Sequence, residues 1–204
     1  MNILSTDNPL AISSAMQVLQ QDGLIAFPTD TIYGLAASAF NPKGILKIYA
    51  AKQRSEEKAL PILIGDFSQL DSLVLFIREP VRRIAETFWP GALTLILPKG
   101  PNIPSELSGY PTIGIRMPNF AFTLNLLQKT GPLATTSANI SDGPNPTSAE
   151  DVVAQLGEEV DLILDGGPTP GPIASTVVDA SGPSLKILRE GPITLVELES
   201  VFEE

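Results

Sequence analysis

The sequence alternates amphipathic helical patterns with short apolar segments along its length, and this alternation limits the fold more than any other feature. Apolar residues recur at spacings of three and four in the helical patterns, which places them on one face. The predicted helices are residues 8–19, 42–52, 79–88, 120–129, 147–156 and 193–202. The predicted strands are residues 24–27, 60–64, 93–97, 112–117, 133–137, 162–164, 176–178 and 185–188. Interleaved helices and strands predict an α/β domain with helices packed on a twisted sheet.

Local signals predict where three helices begin and how some strands pair. Asn8 and Asn41 each stand before a proline, as an N-cap stands before a first-turn proline. Thr147-Ser-Ala-Glu150 has the pattern of a capping box. The last three predicted strands follow one another closely, which favours antiparallel pairing in that part of a mixed sheet.

The absence of histidine and cysteine restricts the chemistry open to this chain. It excludes disulfides, thiolate nucleophiles, Cys/His zinc sites, imidazole bases and Ser-His-Asp triads. Catalysis would have to use Lys, Arg, carboxylates, hydroxyls and backbone amides, with or without a metal ion held by oxygen atoms. Such a set suits phosphate chemistry, in which the protein mainly positions groups and neutralises charge.

Length and charge set further expectations. The 204 residues are enough for one substantial core, so we expect a single domain over residues 1–204. No apolar run approaches the roughly 20 residues of a membrane span. The first residues also lack the basic start and apolar segment of a signal peptide, so we expect a cytoplasmic protein. The net charge of −10 argues against non-specific coating of nucleic acid but is compatible with a small basic cleft.

Two polar stretches are candidates for binding because they follow regular elements. Residues 28–34, Pro-Thr-Asp-Thr-Ile-Tyr-Gly, come directly after a predicted strand. The alternative is a turn in which hydroxyl and carboxylate groups satisfy their own backbone. Lys52 and Arg54 end a helix, where basic residues also favour the helix dipole. Lys52 falls on the apolar stripe, so it either reaches to solvent along the surface or points into a cleft.

Two later stretches supply further polar groups. Residues 135–147 carry successive hydroxyls and amides ahead of a helix, a pattern that suits either an anion cradle or a capped loop. Residues 175–179 and 188–191 deliver a serine hydroxyl and an arginine. Neither a P-loop nor a dinucleotide-binding glycine pattern occurs.

Seven motifs in one order resemble the YrdC/YciO family across nearly the whole chain. They are PTDTIYGL (28–35), Lys52 and Arg54 as K-x-R, FWPGALTLIL (88–97), IRMP (115–118), TSANISDGPNPT (136–147), STVVD (175–179) and ILREG (187–191). The resemblance implies a single YrdC-like domain whose mixed sheet carries a concave basic cleft. It also implies a threonylcarbamoyl-AMP synthase, which condenses L-threonine, bicarbonate and ATP and releases pyrophosphate. The product would serve the t6A modification at position 37 of tRNA.

The resemblance also implies roles for individual residues. Arg116 would pair with the threonine carboxylate and Tyr33 would shape that pocket, which also includes Thr31, Thr135 and Ser175. Lys52 and Arg54 would be catalytic and would hold ATP, together with Lys58, Ser137, Asn139, Asn145 and Arg189. Asn145 stands where members often carry serine. The expected cofactor is Mg²⁺ with ATP, and the expected partners are separate proteins of the t6A pathway, with weak tRNA binding and no membrane.

Departures from the family pattern keep alternatives open. Ser55 and Ala59 stand where members often have proline, Ala174 and Glu190 replace a frequent glutamate and proline, and Leu63 replaces a threonine-contacting histidine of some members. These differences fit a divergent paralogue that binds RNA or a nucleotide without synthase activity. A paralogue that hydrolyses or binds ATP for another purpose is a third hypothesis.

Overall fold

Ten strands form one mixed sheet within residues 2–171 and 174–203, which are the residues that this computed structural model describes. Met1, Pro172, Ile173 and Glu204 of the expected 1–204 domain lie outside the described residues. The strands are β1 (Asn2–Ser5), β2 (Ile25–Phe27), β3 (Gly34–Ser38), β4 (Ile62–Leu63), β5 (Leu93–Pro98), β6 (Thr112–Arg116), β7 (Leu133–Ser137), β8 (Leu162–Asp165), β9 (Thr176–Asp179) and β10 (Lys186–Arg189). Their order across the sheet is β1-β8-β2-β3-β7-β4-β6-β5-β9-β10.

Six α-helices flank this sheet in the described part of the chain. They are α1 (Ala11–Gln20), α2 (Pro42–Lys52), α3 (Glu79–Phe88), α4 (Ala121–Thr130), α5 (Ala149–Leu156) and α6 (Leu195–Phe202). The predicted α/β architecture with a mixed sheet is therefore confirmed. Among the described residues, no helix combines the length and the apolar character that a membrane crossing requires.

Antiparallel pairing is more widespread than the sequence indicated. β9 and β10 are antiparallel, as expected for the end of the chain. β8, however, pairs parallel with both β1 and β2 at the other side of the sheet. The remaining antiparallel pairs are β2–β3, β3–β7, β4–β7 and β5–β6. The prediction that β8 pairs antiparallel with the strands that follow it is therefore wrong. Its parallel partners, β1 and β2, lie far away along the chain.

Two strands were not predicted. β3 has the sequence Gly-Leu-Ala-Ala-Ser, and glycine and alanine have low β-propensity. It is nevertheless buried between β2 and β7, where small side chains fit under α2. β1 is a largely exposed edge strand, so it shows no apolar pattern and depends on β8 for its hydrogen bonds.

Four of the six predicted helix starts, those of α1, α4, α5 and α6, shift by one to three residues. Asn41 is the N-cap of α2, as predicted, and accepts hydrogen bonds from the Lys43 and Gly44 amides. The amide of Leu10 donates to Asn8 Oδ1 at 2.9 Å, so Asn8 forms a turn two residues before the N-cap of α1. The capping box joins Ser148 with Asp151 rather than the residues one position earlier.

The apolar core lies on both faces of the sheet. Successive strand residues point to opposite faces, so Ile25 and Phe27 pack with α1 and α4, whereas Leu24 and Ala26 face the larger cluster. That larger cluster includes apolar residues of the other four helices. The central strands are held from both sides, which makes them a rigid support for the polar loops at their ends.

Candidate functional site

A cleft of about 380 Å³ opens along the central strands of the sheet. Its walls come from the turn before β3, the loop between α2 and β4, strands β5, β6 and β7, and the chain around β9. Nine of the twelve residues that the sequence assigned to substrates line it: Thr31, Tyr33, Arg54, Arg116, Thr135, Ser137, Asn145, Ser175 and Arg189. Thr94 and Ile96 also line it, so residues from all seven motifs, scattered along the chain, meet in one cavity.

The turn before β3 is built around the hydroxyl of Thr29. This hydroxyl donates to the carbonyl of Ile32 at 2.7 Å and accepts from the amides of Thr31 and Ile32. The Thr29 hydroxyl therefore satisfies backbone groups of its own turn, which is the self-capping interpretation of residues 28–34. The turn also presents Thr31 to the cleft, so self-capping and binding are compatible here.

Tyr33 shapes the cleft by fixing a neighbouring loop. Its hydroxyl donates to the Gly167 carbonyl at 2.8 Å and accepts from the Gly166 amide at 3.2 Å. Burial, as the largest effect, and the nearby Asp165 carboxylate raise the pKa of Tyr33 to about 12, although the Gly166 amide acts in the opposite direction. The phenol therefore stays neutral and serves as a hydrogen-bonding strut.

Arg116 is fixed by three protein groups at the end of β6. Its Nε donates to the Gly91 carbonyl at 2.9 Å, Nη1 donates to Thr31 Oγ1 at 3.1 Å, and Nη2 donates to Asp30 Oδ1 at 2.6 Å. Burial lowers its pKa and the Asp30 carboxylate opposes that shift, so the guanidinium remains charged. A guanidinium has five N–H donors, and these bonds leave one on each terminal nitrogen for a ligand.

Arg189 reaches back over β9 to Ser175. Its Nε and Nη2 both donate to the Ser175 carbonyl, at 3.0 and 2.8 Å, and Nη2 also lies 3.0 Å from Ser175 Oγ. Burial and the positive charge of Arg116 lower its pKa. A residue assigned to ATP is thus bonded directly to a residue assigned to threonine.

Lys52 is buried, with 1% of its surface exposed, and the lining residues of the cleft do not include it. Its ammonium group donates to the Ser137 carbonyl at 2.5 Å, to the Asn139 carbonyl and to Asn139 Oδ1 at 3.1 Å. It therefore neither reaches solvent nor faces the cleft, and it clamps the loop after β7. Burial, and secondarily the charge of Arg54, lower its pKa to about 8.

Two more of the predicted ATP residues lie outside the lining of the cleft. Asn139 is buried, and its amide nitrogen donates to the Gly143 carbonyl at 2.7 Å. Lys58 is exposed on the loop after α2. Arg54 does line the cleft, but its guanidinium bonds to the carbonyls of Lys58 and Ala59, both at 3.3 Å.

The cleft is basic although the protein is acidic. Arg54, Arg116 and Arg189 line it, and none of the lining residues is a carboxylate. The expected basic concavity is therefore present, and its charge favours a negatively charged ligand. Among the described residues, no group of three or more acidic side chains could hold a metal ion.

Sequence reasoning gave no role to two polar residues of this site. Asp30 was recognised as part of its motif, yet only the structure pairs it with Arg116. Thr94 also lines the cleft, and its hydroxyl lies 2.8 Å from Ser175 Oγ. Threonine is common in strands, so a single threonine inside the apolar run of β5 carries no functional signal in the sequence.

Comparisons with known proteins agree with this geometry. Residues 17–191 match the family model for Sua5, YciO and YrdC proteins, which is described as "Telomere recombination". The chain is 41% identical to the threonylcarbamoyl-AMP synthase of Bacillus subtilis (strain 168) over 98% of its own length and 58% of that protein. It therefore spans less than two thirds of that relative.

Two solved structures have the same fold. A crystal structure of P. abyssi Sua5 complexed with L-threonine superposes with a TM-score of 0.89 at 38% identity, covering 93% of this chain and 56% of that one. The crystal structure of E. coli YciO gives a TM-score of 0.85 at 26% identity, covering 97% and 98%.

Proposed function

Because this chain belongs to the Sua5, YciO and YrdC family, we propose that it synthesises threonylcarbamoyl-AMP from L-threonine, bicarbonate and ATP. The observation that carries this proposal is the convergence of all five threonine residues and four of the seven ATP residues on one basic cleft. Relatives that share most of this chain are named as such synthases, and one is described with L-threonine bound.

The chemistry needs positioned charges rather than an imidazole base. The amine nitrogen of threonine bonds to the carbon of bicarbonate with loss of water, which gives a carbamate. A carbamate oxygen then bonds to the α-phosphorus of ATP while the bond to the leaving pyrophosphate breaks. Fixed guanidinium and amide donors can stabilise the negative charge that develops on the phosphate oxygens. Holding three reactants in one cleft removes much of the entropic barrier.

Arg116 is the proposed anchor of the threonine carboxylate. Two N–H groups remain available on its terminal nitrogens, and the planar fork of an arginine suits two carboxylate oxygens. Thr31, Thr135 and Ser175 also line the cleft, and all three are buried. This arrangement supports an amino acid substrate bound through its carboxylate.

The triphosphate is proposed to bind at the basic side formed by Arg54 and the loop after β7. Ser137 and Asn145 line the cleft there, and Lys52 fixes the loop that carries them. Mg²⁺ is proposed only as part of the ATP complex, where it would neutralise phosphate charge, because Mg²⁺ is commonly bound through substrate phosphates. The described residues offer no cluster of three acidic ligands for a separate ion.

The proposed role of the product is to supply the t6A modification of tRNA in the cytoplasm, through separate partner proteins that transfer the threonylcarbamoyl group. The acidic net charge of −10 supports indirect participation more than extensive tRNA binding by this chain. Weak tRNA binding at the basic cleft is compatible with this role, since the cleft is the positively charged concavity described above.

A second function is favoured by one specific observation. All three N–H donors of Lys52, and two of the five of Arg54, bond to oxygen atoms of the protein, so they are engaged before any nucleotide binds. A paralogue that binds a nucleotide or RNA without catalysis would tolerate this arrangement. The two functions differ in whether ATP is turned over.

The test is pyrophosphate release by the purified protein with ATP and Mg²⁺, with threonine and bicarbonate each omitted in turn. The proposal expects release that requires both, with threonylcarbamoyl-AMP identified by mass spectrometry. ATP hydrolysis that does not depend on threonine would contradict the synthase and indicate that the protein is an ATPase. ATP binding without turnover in a folded protein would establish the binding paralogue.

A further inference from the structure

Three side chains, on or next to three neighbouring strands, form a continuous hydrogen-bonded unit in the wall of the cleft. Thr94 lies on β5, Ser175 directly precedes β9, and Arg189 ends β10. Thr94 Oγ1 and Ser175 Oγ are 2.8 Å apart, and Arg189 Nη2 donates to Ser175 Oγ at 3.0 Å. Parallel pairing of β5 with β9 and antiparallel pairing of β9 with β10 hold the three positions side by side.

Hydrogen-bond counting shows what this unit offers a ligand. A hydroxyl has one donor and two acceptor positions. Arg189 occupies one acceptor position of Ser175. If Thr94 donates to Ser175, the Ser175 proton is available to the cleft; if Ser175 donates to Thr94, the Thr94 proton is available. In either direction the pair retains one O–H donor, and both residues line the cleft.

The charge at this place also favours an anion. Arg116 is paired with Asp30 at 2.6 Å, whereas within residues 2–171 and 174–203 no carboxylate lies within 4.0 Å of the Arg189 guanidinium. Burial lowers the pKa of Arg189, and repulsion from the positive charge of Arg116 lowers it further. An oxyanion between the two would relieve this repulsion and accept the O–H donor.

Resting on the proposed function, we propose that Thr94 is a positioning residue, and that the Thr94–Ser175–Arg189 unit binds the oxyanion that joins the two substrates. That oxyanion is bicarbonate before the threonine amine reacts and the carbamate afterwards. The unit connects Ser175 of the threonine set with Arg189 of the ATP set, so it lies where the carbamate must approach the α-phosphate. In the proposed arrangement Thr94 donates to Ser175 Oγ, which leaves the Ser175 proton for the oxyanion, so Thr94 acts through Ser175.

The test is a calorimetric titration of L-threonine with and without bicarbonate, in the wild type, Thr94→Val and Thr94→Ser. Valine keeps the shape of threonine without the hydroxyl, and serine keeps the hydroxyl. Bicarbonate should tighten threonine binding in the wild type and in Thr94→Ser, and should have no effect in Thr94→Val. Threonine binding alone should stay within about twofold in all three, since one N–H on each terminal nitrogen of Arg116 remains for the carboxylate.

Steady-state kinetics add a second readout. In Thr94→Val the KM for bicarbonate should rise about tenfold, as expected when Ser175, no longer oriented by Thr94, loses its hydrogen bond to the charged oxyanion, while the KM for ATP is unchanged. Thr94→Ser should restore the wild-type value. Ser175→Ala should raise the same KM, and the double variant with Thr94→Val should be no worse than Ser175→Ala alone, because Thr94 acts through that hydroxyl.

The outcomes separate this proposal from the proposed function. A wild type that makes no pyrophosphate overturns the synthase, while the calorimetric comparison still decides the role of Thr94. A bicarbonate effect that persists in Thr94→Val overturns the positioning role, as does a rise only in the KM for ATP. The absence of any bicarbonate effect on wild-type threonine binding overturns the oxyanion site. The melting temperature of each variant shows whether a loss of binding or activity comes from misfolding.

Discussion

Nη2 of Arg116 lies 2.6 Å from Oδ1 of Asp30, two residues that are 86 positions apart in the chain. The side chains of both are mostly buried, with 8% and 16% of their surfaces exposed. This carboxylate therefore engages part of the fork that we propose for the carboxylate of threonine. Asp30 keeps the arginine fixed and partly neutralised, and it lowers the attraction that an incoming anion experiences.

Asp30→Asn should bind threonine more tightly and be less stable. Asparagine retains an oxygen acceptor but removes the negative charge, so Arg116 is left uncompensated near Arg189. We expect threonine affinity to rise about threefold and stability to fall by about 2 kcal/mol, as for a buried ion pair that loses one charge but keeps a hydrogen bond. Calorimetry and urea unfolding measure the two quantities.

Asp71→Asn is the matched control, because Asp71 is exposed and does not line the cleft. This control should change the threonine affinity and the free energy of unfolding much less than Asp30→Asn does. Weaker threonine binding in Asp30→Asn would contradict the competition argument and would mean that the charge of Asp30 is needed to orient Arg116.

Lys52→Ala should abolish pyrophosphate release and destabilise the protein. The ammonium group holds the carbonyls of Ser137 and Asn139, and its loss leaves these partly and fully buried acceptors without this donor. The expected destabilisation is about 2–4 kcal/mol, from unsatisfied acceptors and the cavity that remains. Urea unfolding and the pyrophosphate assay check the two effects separately.

Lys58→Ala provides the comparison for stability, since Lys58 is exposed. Its free energy of unfolding should change by less than about 0.5 kcal/mol. If Lys52→Ala lost stability but retained full activity below its melting temperature, Lys52 would be a structural clamp only, and the catalytic role that the family resemblance implies for it would be wrong.

The stability of the wild type relative to Lys52→Ala should depend on pH. Burial lowers the pKa of Lys52 from 10.5 to about 8 in the folded protein. Between these values the unfolded chain binds a proton at Lys52 that the folded chain has largely lost. The free energy of unfolding therefore rises with pH in this range through Lys52, and this contribution is flat below about pH 8.

Urea unfolding of both proteins from about pH 7 to about pH 10 measures this difference, because the other titrating groups are common to the two and cancel. We expect the wild-type value minus the variant value to increase above about pH 8. A decrease would mean that the carbonyl acceptors stabilise the charged ammonium group more than burial destabilises it.

Gly191→Ala should disturb the wall of the cleft. A Cβ atom at Gly191 would lie 2.7 Å from the Ser175 carbonyl carbon and against the Thr176 amide nitrogen, and backbone atoms cannot move aside cheaply. We expect a loss of about 1–3 kcal/mol and reduced synthase activity, because Ser175 must shift. Gly182→Ala, which has open space around the new atom, should leave both unchanged. Equal behaviour of the two variants in thermal melts would contradict the close approach of Gly191 to β9.

Much of the local structure was determined by the sequence alone. All six helices and eight of the ten described strands were predicted within a few residues, because apolar periodicity and Asn-Pro starts act over short distances. The ordered motifs also located nine residues that line the cleft. The strands that were missed, β1 and β3, lack an apolar signal of their own and depend on their neighbours in the sheet.

The tertiary structure decided which groups meet. Lys52 bonds to residues 85 and 87 positions away, Arg116 pairs with Asp30 across 86 positions, and Thr94 meets Ser175 across 81. Such pairs follow from the order of strands in the sheet, which local periodicity does not contain. The same placement turned a lysine expected at the surface or in the cleft into a buried clamp, and a threonine typical of any strand into part of the site. The sequence determines which side chains are present. The partners that set the charge and orientation of each side chain are determined only when distant strands pair.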